Sequence, residues 1–190
     1  LHLAGGYTSL EIGIIYPAVE AWKKIAEGAY YGANVSTISR PKNNNQTTIS
    51  NINVSDEVNK GLYALTFFGH SSATQSDIDI GTASDPLNGY TNKGKYPLLL
   101  LNGCSSGDCF TNSTTWSEDW TNVGEKGAIG FIGNVDIGFT NYLDSYTRRF
   151  YTEMFADTSM ISKPIGLQLQ KAIRNGTAGS GVTQYTTHVL

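Results

Sequence analysis

The sequence predicts an α/β fold, three layers deep (α/β/α), with a mostly parallel sheet covered by helices on both faces. Two observations carry the prediction. The runs Leu65-Thr66-Phe67-Phe68-Gly69-His70 and Leu98-Leu99-Leu100-Leu101-Asn102-Gly103-Cys104 are short, apolar and closed by turn residues, as expected of strands buried on both faces. Around them, apolar residues recur at three-and-four spacing, and strands alternating with helices favour a parallel sheet.

The elements follow in order. Residues 1–4 open as a strand and turn at Gly5-Gly6. Ile15, Ala18, Val19, Trp22, Ile25, Ala26 and Ala29 mark one buried helix face, with Pro17 acceptable in the first turn and Gly32 as a terminator. Residues 35–39 read as a strand, and a polar loop runs through Asn43-Asn44-Asn45. A short helix near Ser55–Lys60 precedes the His70 strand, and residues 71–95, rich in Gly, Asp, Ser and Asn, read as a long loop of the kind that carries function. Thr115-Trp116-Ser117-Glu118 is a capping box that opens a helix ending near Gly124. Ala128-Ile129-Gly130-Phe131-Ile132-Gly133 is another strand, and Tyr142, Tyr146, Phe150 and Met154 recur every fourth residue along a helix beginning at Thr140. Ser162 caps a last helix with Pro164 in its first turn, Ile165, Leu169, Ala172 and Ile173 inward, and a stop at Asn175-Gly176. Val189-Leu190 looks like the opening of a further strand. Without an internal repeat, 190 residues fit one domain over residues 1–190.

Charge and composition exclude several classes. With 13 basic and 16 acidic residues and no basic block, neither nucleic acid nor an anionic membrane is an implied partner. No apolar stretch approaches the roughly 18 residues of a membrane span. The start at Leu1, without Met or a positive segment, suits a fragment or a mature form. Abundant Asn, Thr, Ser, Gly and Tyr with sparse charge lean towards an exported protein. Asn-x-Ser/Thr triplets at Asn34, Asn45, Asn53, Asn112 and Asn175 arise readily by chance in such a composition. Cys104 and Cys109 make no disulfide scaffold, and three histidines make no zinc cluster.

Ligands of parallel sheets bind outside the strand carboxyl ends, so an imidazole and a thiol meet in one crevice. Alone, a buried Cys is more often a small hydrophobe, and a lone His a satisfied structural residue. Here both follow strands, both sit beside a Gly, and both precede small polar residues, Ser71-Ser72 and Ser105-Ser106-Gly107. His2 and His188 lie near the chain ends, which leaves His70 as the economical base for Cys104. The backbone N–H groups of Ser71 and Cys104, leaving parallel strands, are the natural oxyanion donors.

The blocks ending in Gly69-His70 and Gly103-Cys104, the Cys-x-x-Gly-Asp segment from Cys104 to Asp108, and the stretch from Gly124 to Gly133 resemble the caspase-like cysteine peptidases, and within them the gingipain family. The aromatic helix beyond, residues 142–155, matches as well. The resemblance implies an endopeptidase, or a sorting-signal transpeptidase of the same fold, with His70 as base and Cys104 as nucleophile. It also implies export to the medium or the cell surface, a domain that continues at either end, and a polypeptide substrate, with oligomeric state left open. No cofactor is required for catalysis, although structural calcium is known in the family, and Asp77, Asp79 and Asp85 are oxygen donors in a loop. The family's pocket loop corresponds to residues 134–139, where Asn134, Asp136 and Phe139 are the candidates. Asp136 is either an acceptor for a basic side chain or a turn residue bonding its own backbone. Trp116 and Trp120 read as core. Cys109 departs from the family pattern, and a bridge to Cys104 would make the chain a non-catalytic surface module with relic site residues.

Overall fold

The two Leu- and Phe-rich runs lie side by side at the centre of the sheet. In chain order the elements are β1 (His2–Ala4), α1 (Ser9–Ala26), β2 (Thr37–Ser39), β3 (Ser50–Asn51), α2 (Ser55–Lys60), β4 (Ala64–Phe68), β5 (Ile78–Asp79), β6 (Leu98–Asn102), α3 (Trp116–Asn122), β7 (Gly130–Asn134), α4 (Thr140–Phe155), α5 (Ile165–Gly176) and β8 (His188–Val189). This computed structural model describes residues 1–40, 48–111, 113–176 and the backbone of 188–189. The Asn43-Asn44-Asn45 loop, the Asn45 and Asn112 triplets, Leu190 and the His188 side chain lie outside the described residues.

The main sheet runs β2-β1-β4-β6-β7-β8, parallel throughout except for β8, which pairs antiparallel with β7. β4 and β6 pair in register from Ala64 opposite Leu98 to Phe68 opposite Asn102. Because strand side chains alternate between faces, Leu98, Leu100, Phe68 and Ile132 pack beneath α1, α4 and α5. Leu99, Leu101, Leu65, Phe67 and Phe131 pack on the other face against Val58 of α2 and Trp116 and Trp120 of α3. Each such fully buried side chain contributes on the order of 1.5–3 kcal/mol. This is the predicted mostly parallel α/β/α arrangement.

Two segments differ from expectation. α1 begins at Ser9, not near Ile15, because Thr8 and Glu11 form a reciprocal capping box that satisfies the first amides. Pro17 therefore sits inside the helix, where the packing of Ile12, Ile15, Val19 and Trp22 offsets its missing hydrogen bond. The helix ends at Ala26, and Gly32, with φ of 67°, serves the turn towards β2. Residues 71–95 are not an open loop. They carry β5, paired with β3 in a small second sheet, and bury Ile78, Ile80, Ala83 and Tyr90 in the α2–α3 layer.

Strand order reverses across β1 and β4, and such a switch point leaves a crevice at the strand carboxyl ends. One buried carboxylate organises that end. Asp77 is 1% exposed; the Gly6 N–H donates to its Oδ2 at 2.6 Å, and its own N–H donates to the His70 carbonyl at 2.9 Å. A Cβ on Gly5 would lie 2.2 Å from Asp77 Oδ1, and one on Gly69 2.6 Å from it, so both turns need glycine for space. Burial pushes the Asp77 carboxyl above its ordinary range, against the opposing pull of the Gly6 and His70 amides and the charges of His70 and Arg40. Arg40 holds the segment from outside, donating to the Asp77 carbonyl at 2.8 Å while its guanidinium lies 5.1 Å over the Tyr7 ring.

Gly69→Ala should lower stability by about 1–3 kcal/mol, the usual cost of overpacking, read as a reduced urea midpoint. An unchanged midpoint would show that the carboxylate does not occupy that gap. His2 gives a second test. It is buried in β1, paired with the Tyr151 hydroxyl at 2.8 Å, and burial, helped by neighbouring positive charge, lowers its pKa from 6.5 to about 3. Between those pH values the unfolded chain binds a proton that the folded chain does not. Stability should therefore fall as pH drops below about 6.5, by up to about 1.4 kcal/mol per unit. Unfolding midpoints of wild type and His2→Gln at pH 7 and pH 5 check this; equal losses in both proteins would clear His2.

Candidate active site

His70 and Cys104 leave the sheet from neighbouring strands. The Gly69 N–H donates to the Asn102 carbonyl at 3.1 Å and extends the β4–β6 ladder to the point of departure. Just beyond, Ser71 Oγ donates to the Cys104 carbonyl at 2.8 Å. A Cβ on Gly103 would come within 2.1 Å of that Oγ, so the close approach of the two loops depends on a glycine there. The chain then turns sharply: Ser105 has a left-handed φ of 51°, a conformation that costs a non-glycine residue on the order of 1 kcal/mol. The turn is held by the Ser105 N–H to the Asp136 carbonyl and the Gly107 N–H to the Asn134 carbonyl, each 2.9 Å. Ser106 Oγ adds a bond of 2.7 Å to the Leu101 carbonyl.

The two reactive groups face one cleft of about 160 Å³ between α1 and the start of α4. His70 and Cys104 line it together with Glu11 and Ile14 of α1, Gly138 and Leu143. Cys104 Sγ accepts the Gly138 N–H at 3.4 Å. The imidazole is held from two sides: the Tyr7 ring stacks on it at 4.7 Å with planes 13° apart, and its Nε2 lies 3.4 Å from Glu11 Oε2. The same oxygen accepts the Tyr7 and Thr8 amides at 2.7 and 3.0 Å. Partial burial raises the Glu11 carboxyl, but these amides and His70 outweigh it and leave it below the ordinary range. Neither the Ser71 nor the Cys104 backbone N–H donates a hydrogen bond among the described residues; Cys104 lines the cleft, and Ser71 borders an adjoining hollow with His70, Ser72 and Asp77.

Glu11 is the residue that sequence reasoning missed. Its signal was present as Thr8-x-x-Glu11 ahead of an apolar helical run, and a helix drawn from Pro17 onward passes over it.

The three pocket-loop candidates are not among the residues lining this cleft. Asn134 is fully buried and donates through Nδ2 to the Asp136 carbonyl at 2.6 Å. The Asp136 carboxylate is exposed and accepts the Ile137 N–H at 2.7 Å, as in the turn reading. Phe139 is 58% exposed, its ring 6.3 Å from Tyr142. Cleft contacts from this region come from Gly138, Thr140 and Leu143. The three aspartates considered for calcium do not converge. Asp77 holds Gly6, Asp79 accepts the Gly81 N–H, and Asp85 accepts the Leu87 N–H. The described residues contain no cluster of three or more acidic, His or Cys side chains. Both cysteines are free, and Cys109 borders a different groove beside Ile129 and Phe131. Trp116 and Trp120 are core, each indole N–H donating to the Gly81 carbonyl.

Among the described residues no helix is long and apolar enough to cross a membrane. No curated protein matches the sequence. Solved structures do: the Arg-specific cysteine proteinase gingipain R superposes with a TM-score of 0.74 at 12% identity over 98% of this chain and 44% of that one. A complex of the Porphyromonas gingivalis RgpB pro- and mature domains gives a TM-score of 0.72 at 13% identity, over 98% of this chain and 45% of that one. A structure described only as a protease gives 0.68 at 16% identity, over 99% and 45%. The chain thus spans less than half the length of these structures and shares their caspase-like fold. The family model for peptidase family C25 matches residues 7–189, and the protein belongs to that family, the gingipains.

Proposed function

We propose that the protein is a cysteine endopeptidase, secreted or held at the cell surface, that cleaves polypeptides through a thioacyl intermediate. The observation that carries this reading is the single cleft lined by both Cys104 and His70. His70 takes the Cys104 thiol proton, the thiolate attacks the scissile carbonyl, and the oxyanion that forms accepts hydrogen bonds from the Ser71 and Cys104 amides. As the C–N bond breaks, the His70 imidazolium gives its proton to the departing amine. Water, deprotonated by His70, then attacks the thioester, releases the acid and restores the thiol. Glu11 is a positioning residue: by engaging Nε2 it leaves Nδ1 as the nitrogen for the sulfur.

Cys104→Ala should lower peptide-bond cleavage by about 10³-fold or more, while Cys109→Ala stays within about twofold. Fluorogenic peptide hydrolysis measures both, and the reverse pattern would move the nucleophile to Cys109. Glu11→Gln keeps the capping geometry but removes the charge beside the imidazole. It should lower kcat by about 10–100-fold with KM and the thermal midpoint unchanged. A fall in thermal midpoint with kcat preserved would make Glu11 a helix cap and nothing more.

A further inference from the structure

The cleft beside Cys104 has an apolar floor and a polar rim. Ile15, Phe68 and Leu143 are 5%, 2% and 2% exposed and close its depth, while Ile14 of α1 and Thr140 of α4 also line it. The polar groups stand higher: the His70 and Glu11 side chains are 46% and 36% exposed. Among the described residues, Glu11 is the one carboxylate lining the cleft. One of its oxygens already serves the Tyr7 and Thr8 amides and the imidazole. A volume of about 160 Å³ is close to that of an engineered cavity lined by Leu, Ile and Phe, about 150 Å³, that accepts benzene.

In the thioacyl step the carbon bonded to Sγ carries, one atom further on, the side chain of the residue before the scissile bond. That side chain is the substrate group nearest this cleft. A Lys or Arg reaching in would bury its charge against Ile15, Phe68 and Leu143, below Glu11, the one carboxylate among the described residues of the lining. A Leu, Met or Phe would exchange water for apolar contact.

We infer, resting on the peptidase reading above, that this cleft receives the residue before the scissile bond and selects an uncharged apolar side chain there, against Lys and Arg. The selectivity differs from the arginine specificity in the name of the gingipain R structure. Ile14 is the wall residue best placed to tune it, being half exposed and therefore replaceable without disturbing the core.

The test uses fluorogenic peptides differing only at that position (Leu, Met, Phe, Ala, Lys, Arg), with peptidyl chloromethyl ketones carrying Leu or Arg there as a hydrolysis-independent probe. Modification of Cys104 is followed by mass spectrometry. Leu or Phe should exceed Arg and Lys by at least about tenfold in kcat/KM and in labelling rate. Ile14→Asp, which places a carboxylate on the wall, should narrow or invert the ratio while circular dichroism stays unchanged. A wild-type preference for Arg or Lys overturns the inference and leaves the peptidase reading intact. A Leu preference untouched by Ile14→Asp overturns the assignment to this cleft. If no peptide is cleaved and neither ketone reaches Cys104 while iodoacetamide does, the peptidase reading falls and the inference with it.

Discussion

Parallel pairing of β4 with β6 is the constraint on which the rest depends. A parallel ladder brings like ends together, so two sequence segments some thirty residues apart must deliver His70 and Cys104 to the same edge of the sheet. The hydrogen bond from Gly69 to Asn102 carries that register one residue past the strand, and Ser71 Oγ fastens the two exits together. A slip by one residue would send every Leu of β6 to the opposite face. The core on both sides of the sheet therefore also fixes the register of the site.

At the strand ends the molecule accepts several unfavourable arrangements. Asp77 keeps a carboxylate out of water, Ser105 takes a left-handed backbone, and Gly5, Gly69 and Gly103 forgo side chains so that loops can touch. Each costs on the order of a kcal/mol or more. The leucine and phenylalanine layers beneath offset these costs, because burial of that kind is the dominant favourable contribution to folding. Strain and buried charge gather where loops must be held in a fixed shape and are scarce elsewhere in the sheet.

Much of this was legible in the residues. Apolar runs ending in Gly-His and Gly-Cys located the central strands and the two groups they present, and the Thr115 capping box located α3. Helix α4 likewise begins at Thr140, as its aromatic spacing indicates. What the residues hid has physical causes. Pro17 usually marks a helix start, so its place inside α1 concealed both the true start at Ser9 and the role of Glu11. The polar composition of residues 71–95 masked a buried layer, because the Ile78–Ile80 alternation is too short to read as an element and Asp77 is a charge where none is expected. Asp136 had the right chemistry for a pocket, but which way a short loop turns its carboxylate is set by tertiary contacts.

Glu11 has two duties: it closes the first turn of α1 and it faces the imidazole. Helix ends are the least protected parts of a fold and open locally at a small fraction of the global unfolding free energy. When that turn frays, the amides of Tyr7 and Thr8 lose their acceptor and His70 loses its partner in the same event. That contact is thus lost by the opening of one helical turn and regained when the turn closes. The contact between Glu11 and the imidazole is consequently a local equilibrium, set by a helix cap and largely decoupled from the stability of the sheet below it.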